Sequence, residues 1–251
     1  MAQNSPAILE RQSTNPMLTA AAFKSARGPI TTVGNTGEGV SDAWAATAAL
    51  AVVFFATFGV GWWLGQFGAW WIAGALVGLG LALFTAFRPQ NAPKTAPLYA
   101  VAEGIFVGGI SRFYEASYDG IVLQAGLLTA GVFGTMWILY STGTIRVTPK
   151  LQKAIIGATM GVVVAYAATW ILRIFGGDMP FIHDAGPIGI LFSLVVVGIA
   201  AFNLLIDFDY IDKLNQTPHE KWQDWFAAMG LLITVVWIYL ELLRLLSKLR
   251  R

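Results

Sequence analysis

The chain has 251 residues, of which 56% are hydrophobic and 12% are charged, and its mean hydropathy is +0.63. A soluble domain of this size carries about twice that fraction of charge, so the composition excludes a single soluble core and indicates a polytopic membrane protein. The net charge of +2 is too small to favour nucleic acid as a partner, and the lack of cysteine excludes disulfides and thiolate metal sites.

The first segment in chain order, residues 1–43, is polar and rich in Ser, Thr, Asn and Gly. It has no apolar run near its start of the kind that a secretory signal requires. A segment of this composition cannot bury enough apolar surface to fold alone. The sequence therefore predicts a disordered cytoplasmic tail.

Seven apolar segments follow, each close to the roughly 20 residues that cross about 30 Å of hydrocarbon. Turn residues or charged residues separate them. The pattern predicts an all-α fold, a seven-transmembrane-helix bundle that forms one domain over residues 44–251. The predicted spans are 44–64, 69–87, 97–113, 120–141, 154–175, 187–210 and 224–246.

Lysine and arginine indicate how the spans are oriented, because short cytoplasmic loops carry an excess of both. They are concentrated in two loops, 88–96 and 144–153. This predicts a cytoplasmic N-terminus in the cell membrane and places the 211–223 connection inside as well. Seven full crossings then leave the basic stretch 244-RLLSKLRR-251 outside, unless one segment is re-entrant.

Three aspartates lie where the sixth span ends, in 201-AFNLLIDFDYIDKL-214. An acidic residue at the centre of a span raises the free energy of membrane insertion by about 2.5–3.5 kcal/mol, so each such residue is expected to have a structural or functional role. Asp209 and Asp212 are three residues apart and share a helix face, which is typical of a solvated helix end. Asp207 points about 200° away from Asp209 and shares its face with Asn203. We therefore predict that Asp207 faces the bundle as a functional carboxylate, with Asn203 beside it.

A second acid, Glu103, lies inside the third span in 97-PLYAVAEGIFVGGIS-111, about 9 Å from its start. Asp207 lies about 7.5 Å from the cytoplasmic end of the sixth span, so the two acids have similar depths. Two carboxylates held close in a low dielectric share a proton, bind a hard cation or pair with a base. If the bound species is a cation, Asp207 and Glu103 are its predicted ligands. The alternative for Glu103 is a hydrogen bond to backbone that serves packing alone.

Two arginines offer partners for the buried acids. Glu241, in 237-WIYLELLRLL-246, precedes Arg244 by three residues, which favours a structural ion pair on one helix face. Arg88 ends the second span at the level where it could latch Asp207. It could equally extend its charge to the membrane surface.

Motifs for membrane-embedded catalysis are missing from the sequence. Its two histidines, His183 and His219, fall in predicted loops, and the H-E-x-x-H pattern of a zinc protease is absent. A retinal protein needs a lysine in the middle of its last span, and Lys248 falls beyond the predicted end of that span. We expect neither an enzyme nor a pigment.

Two segments resemble the Bax inhibitor family, the transmembrane Bax inhibitor motif proteins, in its bacterial branch. The first is 204-LLIDFDYI-211, where Asp207 and Ile211 match the family pattern L-[YF]-D-T-x-x-I. The second is 227-AAMGLLITVVWIYLELLRLL-246, which is similar to the closing helix of the family. The resemblance covers roughly residues 44–247.

The resemblance implies a proton-sensitive calcium leak, gated by two hydrogen-bonded aspartates on the sixth and seventh spans. Asp207 carries over to the first. A gapless match places Thr234 at the second. Another match would make Glu241 the partner, but Glu241 lies roughly 20 Å further out than Asp207 if both helices are straight. Glu103 is our alternative source of the second carboxylate.

The leading hypothesis is thus a pH-sensitive calcium or proton-coupled leak channel. It is expected to have no resident cofactor, with the lipid bilayer and the transported ion as its partners. The alternative is a non-channel regulator that binds another membrane protein, such as a membrane protease.

Overall fold

The computed structural model describes residues 43–176, 186–216 and 218–250, and these contain seven α-helices and no strand. The helices are α1 (Ala43–Leu64), α2 (Trp71–Phe87), α3 (Ala92–Ser117), α4 (Ile121–Ser141), α5 (Pro149–Ile174), α6 (Pro187–Asn215) and α7 (Lys221–Leu249). The predicted all-α, seven-helix membrane fold is confirmed. The predicted tail lies outside the described residues except for Ala43, the first residue of α1.

Five of these helices are long and apolar enough to cross a membrane, namely α4, α5, α6, α7 and α1 with the short 3₁₀ turn that follows it. Helix α2 is also apolar, and its 17 residues span about 25 Å. Helix α3 is long but less apolar. Its packing explains this, because α1 and α2 both lie against it and cover surface that would otherwise meet lipid.

Glycines let α3 approach both of these neighbours. A Cβ atom on Gly104 would lie 2.6 Å from a backbone carbonyl oxygen of α1, and one on Gly108 would lie 2.7 Å from the backbone nitrogen of Trp62. A Cβ on Gly109 would overlap the side chain of Trp71 in α2. No larger residue fits these positions without moving a helix.

Several helices extend further than the apolar pattern predicts. Helix α3 begins at Ala92 rather than at Pro97, because Pro93 occupies its first turn and Pro97 lies inside the helix. Proline at the start of a helix costs little, since the amide hydrogens there have no intrahelical partner. Helix α6 continues to Asn215, five residues past its predicted end.

Helix α7 occupies the centre of the bundle. It packs against α6, α1, α3 and α4, and it is the most buried of the five long apolar helices. Near the connection between α6 and α7, the buried Phe208 is surrounded by four aromatic rings that join α1, α4 and α6. These rings belong to Trp44, Phe133, Trp137 and Tyr140.

Candidate functional site

Asp207 lies in α6 on the face that meets α7. Its side chain forms a hydrogen bond with Thr234, and a Cβ atom on Gly230 would lie 3.9 Å from its Oδ1. The other carboxyl oxygen, Oδ2, is shielded from solvent and has no hydrogen-bond partner within the described residues. The structure therefore brings together Asp207 and Thr234, the residue that the gapless family match places at the second aspartate.

Thr234 has two hydrogen-bond partners but only one hydroxyl proton. Its Oγ1 lies 3.2 Å from the carbonyl oxygen of Gly230, one turn earlier in α7, and also bonds the carboxyl group of Asp207. If the hydroxyl donates to Gly230, it can only accept from Asp207, which then must carry the proton. If Asp207 is ionised, the hydroxyl must turn to donate to the carboxylate. The protonation state of Asp207 thus determines whether the Thr234 hydroxyl can donate to the carbonyl oxygen of Gly230 in α7.

Glu103 is buried in α3, but it faces a different helix. A Cβ atom on Gly78 of α2 would lie 2.8 Å from Glu103 Oε2, and the side chain of Tyr99 forms a hydrogen bond to the carboxyl group. The structure records no hydrogen bond or ion pair between Glu103 and Asp207. The similar depth that the sequence indicates therefore does not bring the two acids together.

A compact metal cluster is likewise missing from residues 43–176, 186–216 and 218–250. This part of the chain has no group of three or more histidine or acidic side chains arranged to hold a metal ion. The metal ligands predicted from sequence, Asp207 and Glu103, have separate surroundings. Any cation at Asp207 would need ligands beyond carboxylates.

The side chains of the other two residues predicted to act near Asp207 form no hydrogen bond or ion pair with its carboxyl group. Asn203 donates hydrogen bonds from Nδ2 to Thr159 Oγ1 of α5 at 2.8 Å and to the carbonyl oxygen of Ile199 at 2.9 Å. Arg88 is exposed just after α2, and it forms no ion pair within the described residues. Asn203 thus joins α5 to α6. The position of Arg88 fits a surface charge rather than a latch.

Glu241 belongs to a separate cluster between α5 and α7. Its Oε1 accepts hydrogen bonds from Arg244 Nη1 at 2.7 Å and from the Tyr166 hydroxyl at 2.8 Å. The guanidinium group also donates to the tyrosine oxygen at 2.6 Å and lies over the ring. The predicted pairing of Glu241 with Arg244 is confirmed. Glu241 lies about 10 Å along α7 from Thr234 and is not the partner of Asp207.

Almost the whole chain matches a single protein family. A family model described as Bax inhibitor 1 like matches residues 15–251. The chain belongs to the Bax inhibitor family. No curated protein and no solved structure matches it. The resemblance of α6 and α7 to this family is thereby confirmed. Because several of its helices are long and apolar, this Bax inhibitor family protein is a multi-pass membrane protein in contact with lipid.

Sequence reasoning missed a buried lysine in this Bax inhibitor family protein. Lys248 does not lie beyond the last helix, because α7 continues to Leu249. Its ammonium group is buried and donates hydrogen bonds to Gly189 O at 2.9 Å and Ser193 Oγ at 2.8 Å, near the start of α6. Helical spacing could have indicated that Lys248 faces the bundle, because it follows Arg244 by four residues and therefore shares its helix face.

A pair between a partly buried histidine and a buried aspartate was also missed. His219, in the connection between α6 and α7, has its Nε2 2.8 Å from Oδ1 of Asp224, which is almost fully buried. The Oδ2 atom of Asp224 has no hydrogen-bond partner within the described residues. His219 lies outside the helical repeat, so sequence spacing could not place it against Asp224.

Asp209 and Asp212 lie together near the end of α6, as their spacing predicts. Asp209 pairs with Lys213, and Asp212 accepts a hydrogen bond from the Tyr140 hydroxyl at 3.0 Å. Both acids line an open pocket of about 300 Å³ that also contains Arg146. They face this open, polar pocket and not the contact between Asp207 and α7.

Proposed function

We propose that this protein is a pH-sensitive cation leak of the cell membrane, with Ca²⁺ as the transported ion, gated where Asp207 meets Thr234. The observation that carries the proposal is the buried Oδ2 atom of Asp207. A buried acceptor without a donor costs about 1–3 kcal/mol, and more when it is charged. Protonation neutralises the carboxyl group and so lowers that cost, whereas a passing cation would bind Oδ2 directly. Membership in the Bax inhibitor family supports the same reading.

The hydroxyl of Thr234 provides a way to couple the proton to the helix contact. When Asp207 is protonated, it donates to Thr234, which in turn donates to the carbonyl oxygen of Gly230. When Asp207 is ionised, the hydroxyl donates to the carboxylate and the carbonyl oxygen loses this bond. Each state thus has its own hydrogen bonds across the α6–α7 interface. Such a two-state contact is what a proton-controlled gate requires.

The chemistry of the site favours passage over retention of Ca²⁺. Calcium takes six to eight oxygen ligands, and its affinity rises with the number of carboxylates. At this contact the protein offers one carboxylate, from Asp207, with a hydroxyl from Thr234 and a carbonyl from Gly230. Water would supply the remaining ligands. Weak binding of this kind lets an ion leave as well as enter.

The experiment is calcium flux into proteoliposomes at several pH values, for the wild type and Asp207→Asn. The amide keeps the shape of the side chain and removes its charge, so the pH response should disappear. Asp209→Asn is the matched control, because that acid lies two residues on and pairs with Lys213 at the surface. It should leave flux and pH response intact.

Two results would contradict the proposal. An Asp207→Asn variant with unchanged flux and pH response would remove the gating role of the carboxylate. A wild-type protein without flux that co-purifies with another membrane protein would instead favour the regulator hypothesis.

A further inference from the structure

An apolar groove runs between α1 and α4, and α7 forms its floor. Its volume is about 630 Å³, within the range of roughly 300–1,000 Å³ that is typical of ligand sites. The backbones of α1 and α4 do not pack closely against each other, although their side chains meet where Trp44 contacts Trp137. Phe55 lines one wall, Leu123 and Leu127 line the other, and Leu231 and Val235 belong to the floor.

The groove offers no polar partner to a ligand. None of its lining side chains is charged, and the three that carry a hydroxyl already use it elsewhere. Thr47 and Thr129 donate to carbonyl oxygens one turn earlier in their own helices, and Tyr239 pairs with Ser111 of α3 at 2.6 Å. A cavity with apolar walls stays dry, so neither water nor a polar ligand fits.

The length and direction of the groove match a lipid chain. On α4 its lining extends from Val122 to Phe133, which is about 16.5 Å along the helix. The hydrocarbon of one bilayer leaflet is about half of 30 Å thick. Both walls are helices long and apolar enough to cross the membrane, so the groove runs in the direction of the acyl chains. At one end of this lining, Phe133 also contacts the ring of Phe208.

From these observations we infer that the groove is a binding site for one acyl chain of a membrane phospholipid. The bilayer supplies this ligand on the open side of the groove. A chain inside it contacts α1, α4 and α7 at once, whereas a lipid on the outer face of a single helix contacts only that helix. The inference goes beyond the proposed leak and does not depend on it.

Two glycines of α4 allow a matched test. Gly126 lines the groove, and a Cβ atom there would meet nothing within 4 Å. Gly131 is equally open but does not line the groove. Gly126→Trp should fill the groove, while Gly131→Trp adds the same bulk elsewhere on the helix.

The experiment places the full chain in nanodiscs that contain a phospholipid with a diazirine in the middle of one acyl chain. After illumination, mass spectrometry maps the labelled residues. We expect label on residues 231–239 of α7 in the wild type and in Gly131→Trp, and its loss in Gly126→Trp. Native mass spectrometry should show one retained phospholipid in the first two proteins and none in the third. Thermal unfolding verifies that each variant is folded, and Gly126→Phe replaces Gly126→Trp if the larger residue prevents folding.

The inference fails if residues 231–239 stay unlabelled while the exposed Leu128 of α4 is labelled. It also fails if the α7 label persists in a folded Gly126 variant. Cross-links from the groove to residues 1–42, or to a second copy of the chain, in place of lipid would assign the groove to that occupant instead.

Discussion

Replacement of Arg244 by methionine should destabilise the bundle far more than replacement of Glu241 by glutamine. The two partners differ in exposure: Glu241 is 1% exposed, whereas the side chain of Arg244 is 35% exposed. Without the guanidinium group, a buried carboxylate keeps only the hydroxyl of Tyr166 as a donor. Breaking a buried pair in this way costs about 3–5 kcal/mol. Glutamine instead leaves an arginine that can still bond its neighbours and reach water, at a cost of about 1 kcal/mol.

The free energy of unfolding of each variant can be measured by reversible denaturation in mixed micelles, with tryptophan fluorescence as the signal. The double variant, Glu241→Gln with Arg244→Met, completes a double-mutant cycle. It should be more stable than Arg244→Met alone, because no charge is then stranded. Equal costs for the two single variants, or strictly additive costs in the double variant, would refute the argument from exposure.

Three further predictions concern helix contacts, the core and the ion site. Gly104→Ala should lower the free energy of unfolding by about 1–3 kcal/mol, since its methyl group overlaps the backbone of α1. Gly80→Ala, with open space around it, should be neutral or stabilising by up to about 1 kcal/mol. Phe208→Ala should cost about 3–5 kcal/mol in the same assay, and Phe87→Ala, at an 83% exposed position, should change little. Thr234→Asp should lower the calcium concentration for half-maximal flux relative to Thr234→Asn, because a second carboxylate raises calcium affinity; equal values would contradict this.

The sequence was sufficient to predict the helices because the bilayer imposes one length and one composition on most of them. Prediction of the helix ends from the sequence failed where a helix meets protein or water instead of lipid. Pro97 looks like the start of a span because proline usually interrupts a helix, yet α3 begins five residues earlier. Lys248 looks like a residue outside the membrane, yet oxygen atoms of α6 satisfy its ammonium group inside the bundle.

Only part of the candidate site could be predicted, for a geometric reason. Helical spacing within α6 places Asp207 and Asp209 on different faces. The family match indicates Thr234 of α7 as the partner of Asp207. Each inference depends only on residue positions within one helix. The neighbour of Glu103 depends on how α3 is rotated against α2, which no spacing within α3 reveals. The relative directions of side chains on one helix are therefore readable from a single sequence, whereas the neighbouring helix that each face meets is not.

The central position of α7 has a consequence for how the protein is made. Of the seven helices, α7 is the last to leave the ribosome, yet α1, α3, α4 and α6 all pack against it. Until residues 221–249 enter the membrane, the earlier helices can form and insert, but they cannot reach their final arrangement. The polar groups that α7 satisfies, such as the hydroxyls of Ser111 and Tyr166, must meanwhile find other partners. Completion of the fold is thus a single late event, and a ribosome stalled before α7 should leave a set of inserted helices without a common core.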